Sequence, residues 1–521
     1  MFIAATRKAA LAGAVLATTC GGSALAAPAA PEAPAVRQCA GDEALRQDVE
    51  RFTTELYRTA YPEAVAPGFA VAVIRRDCDI FSRGFGFADL AARRPVDEDS
   101  SFYIASATKA FVGLAAELLR LEGRIDLDAP ISRYVPDLRL APPLDPRGIT
   151  LRQLLTHTHG IENWGPVVFR TAMSGEGDRR QLLALLATHG PAQAGATFQY
   201  GNIGYNAAGL IIRSATGRTW QDWLQRLVLR PLGLNVTTPY ASAAARADMA
   251  HPYMFNGQGY TLLRQAKADT TMHAAGGMFS SLRDMKRWVR VTMGNGRVDG
   301  RAVVPAAAIE ATGQEWARRL QPMPGAFPMQ GYGLGWDQGS YRGERILMSQ
   351  GGFSAYQSIV TYMPGKDLGI VVLTNEAGSG EDLVRAVSQY VFDVALGGEE
   401  ARQQWAQRMQ QLPRMVQRSR DRIAGDIARR LARPPASPTQ LATYVGTYRH
   451  PDWGTIKVQE RGGRLHVRAG AAESQAEPFN LAEHQWRIEF QPARGETIQF
   501  SLVGPVAQTV TFAGVTFART R

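Results

Sequence analysis

The chain has 521 residues, of which 45% are hydrophobic and 20% are charged, as in an ordinary globular protein of two or three domains. Its net charge of +11 does not indicate nucleic-acid binding, because much of the excess falls in residues 399–433, a pattern typical of a solvated basic helix. The sequence has neither zinc-finger spacing nor a basic sheet interleaved with aromatic residues, which excludes the common nucleic-acid-binding modules.

The first 26 residues have the pattern of a secretory signal peptide. Arg7 and Lys8 precede an apolar run, and Ala24-Leu25-Ala26 forms a small-residue cleavage site. We therefore predict a signal peptide over residues 1–26 and a periplasmic or secreted protein. Cys20 lies in a poor match to a lipidation motif, and no later stretch has the ~18 apolar residues that a membrane span requires.

Residues 27–40 are rich in Ala and Pro, and we expect them to be disordered. Removal of the signal peptide leaves two cysteines, Cys39 and Cys78. An even number of cysteines in an oxidising compartment favours a disulfide between them, and two unpaired thiols are the alternative.

Residues 41–396 are predicted to form one mixed domain. An amphipathic helical pattern covers residues 42–60, and the stretches "GFAVAVIRRD" and "DIFSRGFGFAD" predict two adjacent strands. The middle of the domain is mostly helical, and strand patterns return in residues 345–375, where "PGKD" predicts a hairpin turn. Strands from both ends of one domain indicate a single antiparallel sheet flanked by helices, an α/β (α+β) fold with a helical subdomain.

The last part of the chain changes character. Residues 397–438 are predicted to be a basic helical segment and a linker that ends in "RPPASP". Residues 439–521 alternate apolar and polar side chains at period two, with Gly, Pro and Asn turns between the runs. This pattern predicts a small all-β barrel domain.

The stretch "YIASATKAF" contains the first candidate catalytic pair, Ser106 and Lys109. Only six of the 58 Lys and Arg residues are lysines, so a lysine at the start of an apolar helix is notable. A buried lysine can lose its proton near neutral pH, and an arginine cannot. Spacing of three residues puts both side chains on one helix face, where Lys109 could act as a base on the Ser106 hydroxyl. An exposed Ser/Lys pair at a helix start is the alternative.

Two further stretches supply polar groups of the kind that acyl transfer needs. Tyr200 and Asn202 stand in "FQYGNIGYNAAG", directly before an apolar helix, and a Gly-Gly pair stands in "LMSQGGFSAYQS". Together with "PGFAVAVIRRD", "ITLRQLLTHTHGI", "AAGGMFSSLRDMKRW", "YGLGW" and "VVLTN", this ordered set resembles the serine beta-lactamase and penicillin-binding-protein superfamily. The resemblance is closest to the branch of class C beta-lactamases, D-aminopeptidases and family VIII esterases. The C-terminal barrel resembles the lipocalin-like domain attached to members of that branch.

The resemblance implies an acyl-enzyme mechanism without metal or cofactor. Ser106 would be the nucleophile, Lys109 and Tyr200 would move its proton, and Asn202 would hold Lys109 and the substrate. The alternative for the Tyr-x-Asn stretch is a turn and a helix cap. His157 and His159 are not predicted to bind a metal, because their spacing of two splits them between helix faces.

The third element departs from the family pattern. Ser349, Gln350 and Gly351 stand where the family has Lys-Thr-Gly or His-x-Gly, and Gly352 would supply a backbone N–H to the oxyanion. Ser349 carries no charge for a substrate carboxylate, which favours ester or neutral amide substrates.

We therefore expect a serine hydrolase that acts on a small-molecule or peptide substrate. One alternative is a D-aminopeptidase, a DD-peptidase-like enzyme or a beta-lactamase, and the other is a non-catalytic ligand-binding protein.

Overall fold

The computed structural model describes residues 37–192, 197–246, 248–264, 267–323, 325–492 and 494–520. The predicted signal peptide and Cys20 lie outside the described residues. Within those ranges, no helix is both long and apolar enough to cross a membrane.

The α-helices of the described residues are α1 Glu43–Ala60, α2 Thr108–Leu121, α3 Leu151–Leu155, α4 Pro166–Phe169, α5 Arg179–Ala184, α6 Ile203–Thr216, α7 Trp220–Leu224, α8 Arg230–Leu232, α9 Ala241–Ala244, α10 Leu282–Met293, α11 Ala306–Gly313, α12 Gly380–Leu431 and α13 Pro438–Tyr444.

The strands of the first four fifths of the chain are β1 Arg37–Gln38, β2 Phe69–Ile74, β3 Cys78–Phe85, β4 Phe87–Asp89, β5 Arg94–Pro95, β6 Phe102–Tyr103, β7 Tyr253–Phe255, β8 Tyr260–Leu262, β9 Phe279–Ser280, β10 Arg297–Val298, β11 Arg301–Ala302, β12 Ala317–Met323, β13 Met329–Tyr332, β14 Asp337–Tyr341, β15 Glu344–Phe353, β16 Tyr356–Met363, β17 Leu368–Thr374 and β18 Glu376–Ala377. The remaining strands are β19 Gly446–His450, β20 Gly454–Arg461, β21 Arg464–Ala469, β22 Ala472–Gln475, β23 Glu477–Asn480, β24 Gln485–Ile488, β25 Glu496–Val503, β26 Val506–Phe512 and β27 Val515–Arg519.

A nine-stranded sheet, in the order β1-β3-β2-β17-β16-β15-β14-β13-β12, is the centre of the first domain. Its central strands β2 and β17 are buried along their whole length, because apolar layers cover both faces of the sheet. Helices α2 and α10 pack on one face, and α1 and α12 pack on the other. The pairing of β2 with β17 joins the two ends of the domain, which confirms the predicted α/β fold.

The N-terminal end of the described chain is tied to this sheet. Strand β1 pairs in parallel with β3, and a disulfide joins Cys39 to Cys78, whose Cα atoms are 5.1 Å apart. At the other end, α12 continues past the sheet and is interrupted at Gly398, where φ is +53°. Glycine tolerates this left-handed backbone, which other residues adopt only at a cost.

Strands β19 to β27 form one antiparallel sheet in the order β22-β21-β20-β19-β27-β26-β25-β24-β23. The sheet curls into a nearly closed barrel, which confirms the all-β prediction for the end of the chain. Apolar side chains fill its interior, among them Tyr448, Trp486 and Phe500.

The barrel is not isolated from the first domain. Phe169 of α4 is only 1% exposed and belongs to the barrel's apolar cluster, with its ring 5.4 Å from Trp453 and 5.9 Å from Phe512. Arg430, near the end of α12, forms two hydrogen bonds of 2.8 Å with the Glu477 carboxylate. The barrel therefore lies against the first domain through both apolar and charged contacts.

A chain that ends at residue 438 tests the predicted boundary between the domains. We expect it to fold, because the two apolar clusters of the large sheet contain no barrel residue. It should melt at a lower temperature than the full chain, because removal of the barrel exposes the Phe169 ring to solvent. Circular dichroism and thermal unfolding measure both effects.

Phe169→Gln in the shortened chain is the matched control, since it removes the newly exposed ring. This variant should be more soluble than the shortened chain that keeps Phe169. If it remains unfolded, the two domains need each other to fold and the predicted boundary is wrong.

Candidate active site

Ser106 lies at the entrance to α2, in a 3-10 turn formed by Ala105–Ala107. Ala105 has a φ of +45°, a left-handed backbone that costs a non-glycine residue roughly 1–2 kcal/mol. Helix α2 is buried from Thr108 to Leu119, since apolar residues occupy almost every position of its sequence. The surrounding core therefore holds a strained turn that places Ser106 at the helix start.

The amine of Lys109 lies beneath Ser106 in a nearly closed environment. The residue is 1% exposed, and its Nζ is 3.0 Å from Ser106 Oγ, 3.0 Å from Asn202 Oδ1 and 2.6 Å from the Ala275 carbonyl oxygen. The two carbonyl-type oxygens can only accept hydrogen bonds, so they take two N–H groups. In a neutral amine, the position that remains is the lone pair, and it faces the Ser106 hydroxyl.

Burial lowers the pKa of Lys109 to about 7, and the negative charge of Asp337 opposes this change only in part. The neighbouring His157 does not add a positive charge to the site. Its pKa lies well below the usual value, because the ring is buried and lies near Lys109. A large share of Lys109 is therefore neutral at physiological pH, as a general base requires.

Tyr200 and Asn202 approach the pair from the loop that precedes α6. The Asn202 backbone N–H donates to Asn163 Oδ1 at 2.6 Å, and the His157 ring packs 4.6 Å from the Tyr200 ring. Burial raises the pKa of the Tyr200 hydroxyl. A hydrogen bond with the Ser106 side chain opposes this change and lowers the pKa. The Tyr200 residue is 42% exposed, so solvent reduces the rise, and the phenol remains protonated at neutral pH.

The backbone of strand β15 packs directly against the Ser106 turn. A Cβ at Gly351 would lie 2.0 Å from the Ile104 carbonyl oxygen and 2.7 Å from the Ser106 nitrogen, so no larger residue fits. Pairing of β14 with β15 ends at Met348, which leaves the following backbone of β15 without that neighbour. The strand that contacts the Ser106 turn at Gly351 is therefore unpaired with β14 at this point.

The other predicted residues of the third element lie on the same strand. Ser349 is buried at 3% exposure, and alternation along the strand puts it on the same face as Gly351. Gly352 is exposed and lines the same cleft as Ser106 and Tyr200, which has a volume of about 590 Å³. Of the predicted residues, Ser106, Tyr200, Gly351 and Gly352 line the cleft, and Lys109 and Asn202 are joined to Ser106 by hydrogen bonds. Ser349 is buried on β15 and does not line the cleft, and the Cys39–Cys78 disulfide is separate from it.

Several contributors to the site were not predicted from the sequence. Asn163 accepts a hydrogen bond from the Asn202 backbone, and the Ala275 carbonyl accepts one from Lys109. Ala275 belongs to "AAGGMF", a stretch that resembles the family without indicating this contact. The buried pair of Arg319 and Asp337 also lines the cleft, with 2.5 Å between the two side chains. Asp337 directly follows "YGLGW", a stretch that could have indicated it.

His157 and His159 are both buried, with 1% and 4% of their surfaces exposed. Among the described residues, no group of three or more His, Cys, Asp or Glu side chains is arranged to hold a metal ion. His159 Nδ1 accepts from the Ile161 N–H at 3.0 Å, which is a structural role.

Two family models match separate parts of the chain. A family model described as beta-lactamase matches residues 43–391, more than half of the chain. A model described as a domain of unknown function (DUF3471) matches residues 431–519, which include the barrel strands.

Individual relatives are distant. Protein flp of Staphylococcus aureus (strain N315) is 24% identical over 314 residues, which are 59% of this chain and 59% of that protein. The chain therefore spans less than two thirds of that relative.

Among solved structures, the octameric penicillin-binding protein homologue from Pyrococcus abyssi shares the fold at a TM-score of 0.57 and 22% identity, over 91% of this chain and 99% of that one. A class C beta-lactamase has a TM-score of 0.55 and 22% identity, over 68% of this chain and 98% of the other.

Gly351→Ala tests the close approach of β15 to the nucleophile. The added methyl group must push Ile104 and Ser106 away, and a displacement of about 1 Å at reacting atoms lowers turnover by about a hundredfold. Steady-state hydrolysis of an activated ester measures the loss.

Gly148→Ala is the control, because its nearest neighbour beyond the adjacent residues would be 3.6 Å away. It should keep wild-type turnover. Turnover of Gly351→Ala within twofold of the wild type would contradict the inferred packing.

Proposed function

The chain belongs to the beta-lactamase family, and from that premise we propose that it is a serine hydrolase that cleaves an ester bond through an acyl-enzyme on Ser106. The observation that carries the proposal is the buried Lys109 amine, 3.0 Å from Ser106 Oγ with both of its other contacts to carbonyl-type oxygens. A lysine held in this way is a base rather than a charge, and a hydroxyl beside it is an activated nucleophile.

The proposed first half-reaction moves one proton and exchanges one bond. The Lys109 amine takes the hydroxyl proton while Ser106 Oγ bonds to the carbonyl carbon. The protonated amine then returns the proton through the Tyr200 hydroxyl to the departing alkoxide, and the ester C–O bond breaks. A protonated phenol suits this role, because it can donate and accept a hydrogen bond at once.

In the second half-reaction, a water molecule replaces the alcohol. Its proton passes to the Lys109 amine, its oxygen attacks the acyl carbon, and Ser106 Oγ leaves with a proton from Lys109. In both halves, the Ser106 N–H at the helix entrance and the Gly352 N–H are the proposed donors to the oxyanion. A donor from the backbone does not depend on the side chain, so the change from Lys-Thr-Gly to Ser-Gln-Gly leaves it available.

An ester is favoured over a carboxylated β-lactam because Ser349 stands where the family has a cation. Ser349 is neutral, and the charge of Arg319 is compensated by Asp337. A charge-assisted hydrogen bond is worth ~1.5–3 kcal/mol, so its absence weakens recognition of a carboxylate there by roughly ten- to a hundredfold.

We also propose that the protein acts in an oxidising compartment, in the periplasm or outside the cell. The Cys39–Cys78 disulfide supports this, since disulfides persist where thiols are not kept reduced.

A serine-directed label and two chromogenic substrates test the proposed reaction. A fluorophosphonate should label the wild type and not Ser106→Ala. The wild type should hydrolyse 4-nitrophenyl butyrate and act poorly on nitrocefin, whereas Ser106→Ala should hydrolyse neither. Ser354→Ala is the control, because Ser354 lines the same cleft without contacting Lys109. A Ser106→Ala protein that keeps ester hydrolysis would refute the proposal.

The pH dependence tests the role of Lys109. The active form is the neutral amine, whose fraction grows as pH rises, so kcat/KM should increase about tenfold per unit below pH 7 and level off above it. Lys109→Arg keeps the charge but cannot deprotonate, so its turnover should fall at least ~10²-fold. The pH profile of this variant should have no rising limb. Lys366→Arg, at an exposed lysine, should behave as the wild type. Near-normal turnover in Lys109→Arg would make Lys109 structural only.

Asn202→Asp shifts the same profile in a defined direction. A carboxylate of nearly the same shape, 3.0 Å from the amine, stabilises the ammonium form and raises the pKa of Lys109. The rising limb should move up by about one pH unit or more, and activity at pH 7 should fall at least ~5-fold. An unchanged midpoint would show that another group controls the profile.

A further inference from the structure

The cleft that contains Ser106 is not formed by the first domain alone. The loop between β24 and β25 contributes Gln491, Pro492 and Arg494 to its lining, so the barrel and the nucleophile face the same cavity. The cavity volume of about 590 Å³ lies within the range of small-molecule sites, ~300–1,000 Å³. A substrate that extends from Ser106 along this cavity therefore meets the barrel.

Polar contacts at two separate places hold the barrel in this position. Arg430 binds the Glu477 carboxylate through two hydrogen bonds, and the Arg170 Nε donates to the Asp452 carbonyl oxygen at 2.6 Å. The first contact comes from α12 and the second from the segment after α4. Together with the buried Phe169, these contacts fix the orientation of the β24–β25 loop relative to the cleft.

Three arginines line the cavity, and two of them have a carboxylate partner. Arg319 pairs with Asp337 at 2.5 Å, and Arg385 pairs with Glu381 at 2.6 Å. Arg494 is exposed and forms no ion pair with any residue that the structure describes. Among the described residues, the barrel thus presents a cleft arginine that makes no salt bridge, and Glu496 is the neighbouring carboxylate that its charge reaches.

We propose that Arg494 is a specificity-determining residue that binds an acidic group on the substrate, at a distance from the ester bond. This inference rests on the proposed ester hydrolysis and adds a substrate class to it. Guanidinium binds carboxylate through two parallel hydrogen bonds, which gives orientation as well as attraction. Ser349 offers no charge in the third element, so acidic substrates are recognised by a residue of the barrel instead.

Matched pairs of esters test this recognition. The first pair is 4-nitrophenyl hexanoate and the 4-nitrophenyl monoester of adipic acid, which have acyl chains of equal length and differ in a terminal carboxylate. The second pair places the acid on the alcohol side, as the hexanoate esters of 4-hydroxybenzoate and of phenol. The wild type should prefer the acidic member of at least one pair, and added salt should reduce this preference.

Arg494→Ala should lower kcat/KM for the preferred acidic ester by about fivefold or more, mainly through KM, and Arg494→Glu should lower it further. The neutral ester should stay within twofold in both variants, and Arg494→Lys should recover part of the loss. Arg464→Ala and Arg464→Glu are the controls. They make the same charge changes on an exposed barrel arginine that does not line the cleft, and they should have no selective effect.

A binding measurement separates this inference from the proposed reaction. In the Ser106→Ala background, calorimetry compares adipic acid monoanilide with hexananilide, and Arg494→Glu should weaken the first selectively by about tenfold. Loss of selectivity without loss of Ser106-dependent turnover supports the inference. The inference is overturned if the Arg494 variants affect acidic and neutral compounds equally, or affect neither. Ester hydrolysis that persists in Ser106→Ala refutes the proposed function instead, and the calorimetric comparison still decides the role of Arg494.

Discussion

The removal of one amine from water is the constraint on which the rest of this site depends. Burial brings the pKa of Lys109 from 10.5 to about 7, a change of roughly 5 kcal/mol at 1.4 kcal/mol per unit. The opposing charge of Asp337 is smaller than this cost, so desolvation decides the protonation state. The contacts with Asn202 and the Ala275 carbonyl hold the amine next to Ser106, which is the arrangement that the proposed base role of Lys109 requires.

Close backbone packing keeps this amine dry. Gly335, with a φ of +94°, lies so near the first turn of α2 that a Cβ would come within 2.4 Å of Ala110. On the other side, Gly351 brings β15 against the Ser106 turn, and the Ser358 hydroxyl donates to the Ile104 carbonyl at 2.9 Å. Backbone contact on two sides helps to bury Lys109 beneath Ser106, and it explains why glycine is needed at both positions.

The same segment of chain serves the catalytic cleft and the barrel. Asn163 holds the backbone of Asn202, and six residues later Phe169 enters the barrel's apolar cluster. Thr171 accepts a hydrogen bond of 2.8 Å from the Asn206 amide on α6, one turn beyond Asn202. The barrel therefore packs on an element that also positions the substrate-facing loop. This arrangement fits the proposal that the barrel takes part in substrate recognition. A domain attached only by a linker would not need to pack on this segment.

The sequence by itself determined the local parts of this protein. Period-two alternation predicted the barrel, and buried runs at both ends of the first domain predicted one sheet. Spacing of three residues put Ser106 and Lys109 on one helix face, because helix geometry is local. Only the tertiary structure decided which distant groups complete the site. The Ala275 carbonyl has no side-chain identity to recognise, the partner of Arg319 depends on strand packing, and Arg494 reaches the cleft only because one domain docks on another. Contacts between residues far apart in the chain follow from the packed fold, and neither periodicity nor spacing encodes them.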